Sequence, residues 1–134
     1  MEKRGQVGIE YMILIGFVTL TVLSIFIFAV FYSNQIKDRM RINSIQNFAD
    51  QLIQSSESVF FAGEPSKTTI SLYLPEGVQK ITVNEYSIVI VARLASGDNI
   101  LFFPSKVPLS GSISSTGGTK KLSLEAHEDY LLIS

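Results

Sequence analysis

The chain has no cysteine, no tryptophan and a single histidine among its 134 residues. Without cysteine there can be no disulfide framework, no thiolate nucleophile and no cysteine-based zinc site. Charge is scarce as well. Asp, Glu, Lys and Arg together make 17%, against a usual share of about a quarter, and the formal net charge is −1. That leaves no basic field to hold nucleic acid or an anionic bilayer, so a nucleic-acid partner is not expected. Hydrophobic residues make up 46%, which excludes a disordered tail. The length suits one ordinary domain and is too short for two full cores.

The apolar residues are unevenly placed. Tyr11 to Tyr32, YMILIGFVTLTVLSIFIFAVFY, is a run of 22 residues without a charge. As an α-helix it would be roughly 32 Å long, enough to cross a hydrocarbon core of about 30 Å. Its polar members, Thr19, Thr21 and Ser24, carry hydroxyls that can bond back to a carbonyl one turn earlier. Tyr11 and Tyr32 stand at the two ends, where amphipathic rings favour the headgroup level. A domain this small could not cover such a segment all round, so a membrane-compatible helix is expected rather than a buried core helix. Lys3 and Arg4 precede it, which places the N-terminus on the cytoplasmic side and the C-terminus outside. Lys37, Arg39 and Arg41 follow it and pull the other way. The run ends in Phe-Ala-Val-Phe-Tyr-Ser-Asn-Gln, which does not favour cleavage after it.

Glu10 lies between Ile9 and Tyr11, on the first turns of this helix. A charge well inside a bilayer costs roughly 2.5–3.5 kcal/mol on insertion scales and less near the interface. An interfacial carboxylate near the helix N-terminus is one reading. The other needs a nearby cation. A cut before Gln6 would create an α-ammonium four residues from Glu10. On a neighbouring subunit shifted along an assembly axis, that ammonium could meet Glu10 inside an apolar bundle and fix the axial register.

Lys3-Arg4-Gly5-Gln6-Val7-Gly8-Ile9-Glu10-Tyr11-Met12-Ile13-Leu14 resembles the class III signal peptide of archaeal type IV pilin-like proteins, Gln-x-Ser-x-Glu-x-x-x-Leu after a short basic leader. Gln6, Glu10 and Leu14 fall in register, and Gly8 replaces the commoner serine. With the leader and the apolar run, the resemblance covers residues 1 to about 34.

It implies that a membrane aspartyl prepilin peptidase, reading Lys3, Arg4 and Gly8, cuts between Gly5 and Gln6. The mature chain would then have 134 − 5 = 129 residues. It also implies an assembly ATPase and a membrane platform protein that move subunits from the bilayer into a helical homo-oligomeric filament. Gln6 and Glu10 would register the subunits there, and Tyr11, Leu14, Phe17, Leu20, Leu23, Phe26, Phe28 and Phe31 would pack its core. The organisation expected is a leader 1–5, a hydrophobic helix 6–34 that anchors before assembly and forms the core after it, an amphipathic continuation 35–63, and a β-rich head 64–134. The expected role is a surface filament used in adhesion, with no enzymatic activity and no cofactor. Two alternatives are a non-polymerising extracytoplasmic binding domain on a single-span anchor and an archaellin-like motility filament subunit.

Beyond Gln35 the helical pattern becomes amphipathic. Ile42, Ile45, Ala49, Leu52, Ser56 and Val59 recur at spacings of three and four, and Phe48, Ile53 and Phe60 widen the stripe. Asp38, Arg39, Arg41, Gln46, Asn47, Asp50, Gln54 and Glu57 supply most of the polar surface. One helix over about 7–62 is expected, stopping at Gly63 with Pro65 beyond; whether it bends or breaks near Ser33-Asn34 stays open. Its length would be about 84 Å, which suits an assembly element better than a monomer.

From Thr68 the period becomes two. Ile70, Leu72 and Leu74 alternate with polar residues, Pro75-Glu76-Gly77 signals a turn, and Ile81 and Val83 continue on a second strand. Tyr86 to Leu94 is apolar on both faces, the pattern of a central strand. Ser96-Gly97-Asp98-Asn99 reads as a hairpin turn before Ile100 to Phe103. Ser110 to Lys121 reads as an exposed loop, and Leu122 to Leu124 and Tyr130 to Ile133 as closing strands. The fold class is therefore α+β: a long N-terminal helix packed on a small antiparallel β-sheet head, with the Ile42–Phe60 stripe across one sheet face. Chemical sites are poor. Glu125-Ala126-His127-Glu128-Asp129 reads as a solvated turn rather than a metal site, and Ser110 to Lys121 lacks the spacing of a phosphate-binding loop. The only histidine lies in that acidic turn, which gives a Ser-His-Asp arrangement little support.

Overall fold

The computed structural model describes residues 2–134 and, from Arg4 onward, their side chains. The fold is α+β. One helix, α1 (Glu2–Ala62), precedes seven strands: β1 (Lys67–Leu74), β2 (Val78–Asn84), β3 (Ser87–Leu94), β4 (Gly97–Pro104), β5 (Leu109–Gly111), β6 (Gly118–Ala126) and β7 (Leu131–Ile133). The chain divides into two compact units, Met1–Lys37 and Asp38–Ser134. The helical state runs unbroken through Ser33-Asn34, where the sequence left a break open. The helix stops where the glycine signal placed the stop. Gly63 adopts φ +86° just past Ala62, and its N–H donates to the Phe60 carbonyl at 3.1 Å. Glycine takes that left-handed cap without the clash a Cβ would bring.

The second unit is built on the amphipathic stripe. Ile45, Phe48, Ala49, Leu52, Ile53 and Val59 are buried, and they share one contiguous core with Leu72, Leu74, Ile81, Ile88, Ile90, Leu109, Leu124, Leu131 and Ile133. Ser56 lies in the same stripe with no exposed surface. Its hydroxyl donates to the Leu52 carbonyl at 2.7 Å, so no polar group is left unsatisfied there.

The strands form two sheets rather than one. The first has the order β1-β6-β7-β5, the second β2-β3-β4. β5 and β7 run parallel, and the other pairs are antiparallel. Alternation along a strand tells which face is buried and not which strand is its neighbour. The β1–β6 pairing, Lys67 opposite Glu125 through Leu74 opposite Gly118, joins segments far apart in the chain.

Two local expectations are corrected. The β3–β4 turn is Ala95-Ser96, because Leu94 already faces Gly97; Gly97-Asp98-Asn99 belong to β4 despite their turn-forming composition. The stretch 110–121 is a loop only over 112–117. Leu109–Gly111 pairs with β7, Gly118–Lys121 pairs with β1, and Ile113 is buried. Gly111 is required at its place: φ is +123°, and a Cβ there would collide with the Ile133 carbonyl.

The stripe has a polar extension toward the helix N-terminus. The Asp38 carboxylate accepts the Ala95 N–H at 3.1 Å, and the Arg41 guanidinium donates to the Arg93 carbonyl at 3.0 Å. Near the other end the Glu57 carboxylate accepts the Lys106 N–H at 3.2 Å. Arg41 thus ties the helix to the end of β3, and Asp38 and Glu57 tie it to the connections after β3 and after β4.

Replacing Leu52, which has no exposed surface, with alanine is expected to destabilise the second unit by about 2–5 kcal/mol through lost burial and an unfilled cavity. Asp50→Ala, on the exposed side of the same turn, is expected to stay within about 0.5 kcal/mol of the parent. Urea denaturation of the full chain in mild detergent compares the two.

Candidate functional site

Every residue from Arg4 to Lys37 is exposed. The most apolar window of α1, 18 residues long, has a mean hydropathy of 2.8 and no buried residue. Water strongly disfavours such a surface. Monomeric soluble proteins keep contiguous apolar patches to a few hundred Å², and a helix apolar all round belongs to a core or a membrane. The residues expected to pack an assembly core, Tyr11, Leu14, Phe17, Leu20, Leu23, Phe26, Phe28 and Phe31, range from 54% exposed at Leu23 to 75% at Phe28.

The three hydroxyls in the middle of this surface are provided for by the helix itself. Thr19 donates its hydroxyl proton to the Ile15 carbonyl at 2.8 Å, Thr21 to Phe17 at 2.9 Å and Ser24 to Leu20 at 2.8 Å. Between Tyr11 and Tyr32 the run therefore carries no hydroxyl that needs water or a polar neighbour. Long enough, apolar all round and internally hydrogen-bonded, this helix is a candidate membrane anchor or signal.

Gly5, Gln6, Gly8 and Glu10 all lie on α1 and are exposed. The side chain of Lys3 lies outside the described ones, whereas Arg4 is described and exposed. A Cβ at Gly5, Gly8 or Gly16 would meet nothing within 4 Å, so nothing packed inside the chain requires glycine at these positions. Glu10 shares a shallow concavity with Val7, Tyr11 and Leu14. Its carboxylate is thus set among apolar neighbours on one flank of the helix.

The second unit offers little chemistry. Among the described residues, no group of three or more His, Asp or Glu side chains could hold a metal ion. His127 stacks on Tyr130, ring centroids 4.7 Å apart, and its Nε2 lies 4.0 Å from Glu125. A groove of about 550 Å³ runs between the end of α1 and β1, lined by residues such as Ser55, Ser58, Val59, Lys67, Thr68 and Ile70. Lys67 is its one charged lining residue and is already paired to Glu125 at 3.8 Å. The reading from sequence missed the contacts of Asp38, Arg41 and Glu57, which it assigned to solvent. A signal existed for Asp38 and Arg41, which continue the Ile45 stripe backwards at helical spacing.

No protein-family model, curated protein or solved structure matches the chain.

Leu23→Arg, in the middle of the apolar run, is expected to cost about 2.5–3.5 kcal/mol of insertion free energy. Alkaline extraction of membranes should then release the variant. Thr21→Val removes a hydroxyl satisfied by its own helix, and this variant should stay in the membrane pellet like the parent.

Proposed function

We propose that this chain is the structural subunit of an archaeal type IV pilus-like surface filament, and that its apolar helix exchanges lipid for copies of itself on assembly. The observation that carries the reading is a helix with no cover of its own, placed directly after the Lys3-Arg4-Gly5-Gln6-Val7-Gly8-Ile9-Glu10 pattern. Burying one large apolar side chain contributes about 1.5–3 kcal/mol, and some twenty such residues demand a surround. Lipid meets that demand, and so do the tails of neighbouring subunits. The internally bonded Thr19, Thr21 and Ser24 support this exchange, since none of them binds the helix to one solvent.

In this reading the precursor sits in the cytoplasmic membrane with its N-terminus in, and a prepilin peptidase removes residues 1–5. The open surroundings of Gly5 and Gly8 suit recognition by an outside enzyme. An assembly ATPase and its platform protein then draw the subunit into the filament, and the head is displayed outside for attachment. The new α-ammonium of Gln6 pairs with Glu10 of a neighbour. A carboxylate set among Val7, Tyr11 and Leu14 has more to gain from a cation than from an apolar bundle alone.

Electron microscopy of surface appendages tests the reading most directly. Gly5 replaced by a bulky residue should leave uncut precursor in the membrane and abolish filaments. Glu10→Gln should allow insertion and cleavage but reduce filament number severely. Normal filaments from Glu10→Gln would remove the charge pair and leave the packing of the tails in place. N-terminal sequencing that found the native protein starting at Met1, with no appendages, would replace the proposal by a single-span anchor carrying a binding head.

A further inference from the structure

The head has four sheet edges, and β4 is the least protected. β5 is three residues long. β2 is interrupted by a register shift between Val78 and Lys80 and carries that lysine exposed. β1 begins at Lys67, and its outward face is mostly polar, with Lys67, Thr69 and Ser71 beside Tyr73. Short length, bulges and lysines are the ordinary devices that stop an edge from pairing with another chain. β4, GDNILFFP, has none of the three, and its Asp98 and Pro104 guard only the two ends of the open edge. It is eight residues long, and its register with β3 is unbroken from Ser87–Pro104 to Leu94–Gly97.

The hydrogen-bond phase shows which residues face the open side. Ser105 donates its N–H to the Tyr86 carbonyl at 2.9 Å. An antiparallel ladder bonds at every second pair, so Phe103, Leu101, Asn99 and Gly97 bond to β3. Asp98, Ile100, Phe102 and Pro104 turn their backbone groups outward. Pro104, which has no N–H, falls on the side where the loss leaves the β3 ladder intact. These outward residues also carry the outward side chains. Ile100 is 72% and Phe102 64% exposed, whereas Phe103 is buried. Their β3 neighbours across the sheet, Val91 and Val89, are half-buried. The sequence of β3 is apolar on both faces, yet the head covers only the Ile88, Ile90 and Ala92 face fully.

We propose that β4 pairs antiparallel with β4 of a second copy of this chain about a two-fold axis at Leu101, joining two three-stranded sheets into one of six strands. The strand is self-complementary in that register. A two-fold contact requires that if one residue meets another, the reverse also holds. Ile100 then faces Phe102 of the second copy, and Phe102 faces its Ile100. Each pair exchanges two backbone hydrogen bonds. The row Val91–Ile100 continues without a gap into Phe102–Val89 of the second copy, and the axis generates an identical row beside it. Aromatic and β-branched residues are favourable cross-strand partners.

Asp98 comes opposite Pro104, so no like charges meet, and its carboxylate is already matched by Arg93 at 3.2 Å. A two-residue slip is worse on either side. With the axis at Ile100, Phe102 faces Asp98; with the axis at Phe102, Ile100 faces Pro104. One strand and its adjoining face fall short of the about 800 Å² per partner of a standard interface, so a single contact is weak. A two-fold contact cannot relate successive subunits of a helical assembly. If the filament reading holds, it links heads on separate filaments, where many weak contacts act together.

The absence of cysteine makes a cross-linking test clean. Ile100→Cys, Leu101→Cys and Phe102→Cys are introduced singly into the purified full chain in detergent micelles, with Tyr73→Cys, exposed on the other sheet, as the reference for tail-driven contact. Oxidation is expected to give a disulfide dimer most readily at Leu101→Cys, where the axis sets the residue opposite itself within bridging distance. Adding Phe102→Lys should lower that yield by about tenfold, as two apolar cross-strand pairs are lost. A yield at Leu101→Cys no higher than at Tyr73→Cys would overturn the proposal. A maximum at Ile100→Cys or Phe102→Cys would overturn the stated axis. The test reads only the head, so its failure leaves the filament reading standing, and failure of the Glu10 experiments leaves this one standing.

Discussion

An apolar helix surface without cover is the constraint on which the rest depends. From Val7 to Tyr32 no large side chain has a neighbour elsewhere in the chain to exclude water from it. At about 25 cal/mol per Å² of apolar surface, no other term in a chain this size can offset leaving it wet. Whatever surrounds this segment, lipid or protein, defines what the molecule does. The polar back-bonding of Thr19, Thr21 and Ser24 fits both surrounds equally.

The second unit solves the opposite problem. The β-rich part alone, about 67 residues from Thr68 on, would make a marginal core, and the Ile45–Val59 stripe completes it. The same helix therefore changes role along its length, from a surface that needs external cover to one that covers the strands. Asp38 and Arg41 lie close to the change. They end the exposed run by fastening the helix to the end of β3 and to the turn that follows it.

Much of this was legible in the sequence because it follows from periodicity. The charge-free run, the stripe at three- and four-residue spacing, the Gly63 stop and the alternation of Ile70, Leu72 and Leu74 all read directly. Strand pairing did not. The division into two sheets depends on β1 meeting β6, a non-local choice that alternation leaves open. Gly97-Asp98-Asn99 and Gly118-Thr119-Lys120-Lys121 were read as turn and loop because their side chains favour such places, and partner strands overrode that preference. The contacts of Asp38, Arg41 and Glu57 were hidden for another reason. A charged side chain that bonds a distant backbone group looks, in sequence, like one that faces water. The double apolar face of β3 was visible from the start, but only the structure separates the covered face from the open one.

The three polar ties have a mechanical consequence. From Asp38 to Glu57 they are spread over about 28 Å of helix, two gripping the end of β3 and the turn after it, and the third the connection after β4. Within this unit, tension applied along the helix at Asp38 would act across these grips and the buried stripe in shear, loading them together rather than peeling them one at a time. Strands held in this way resist being stripped from the helix better than strands held at one end of it alone.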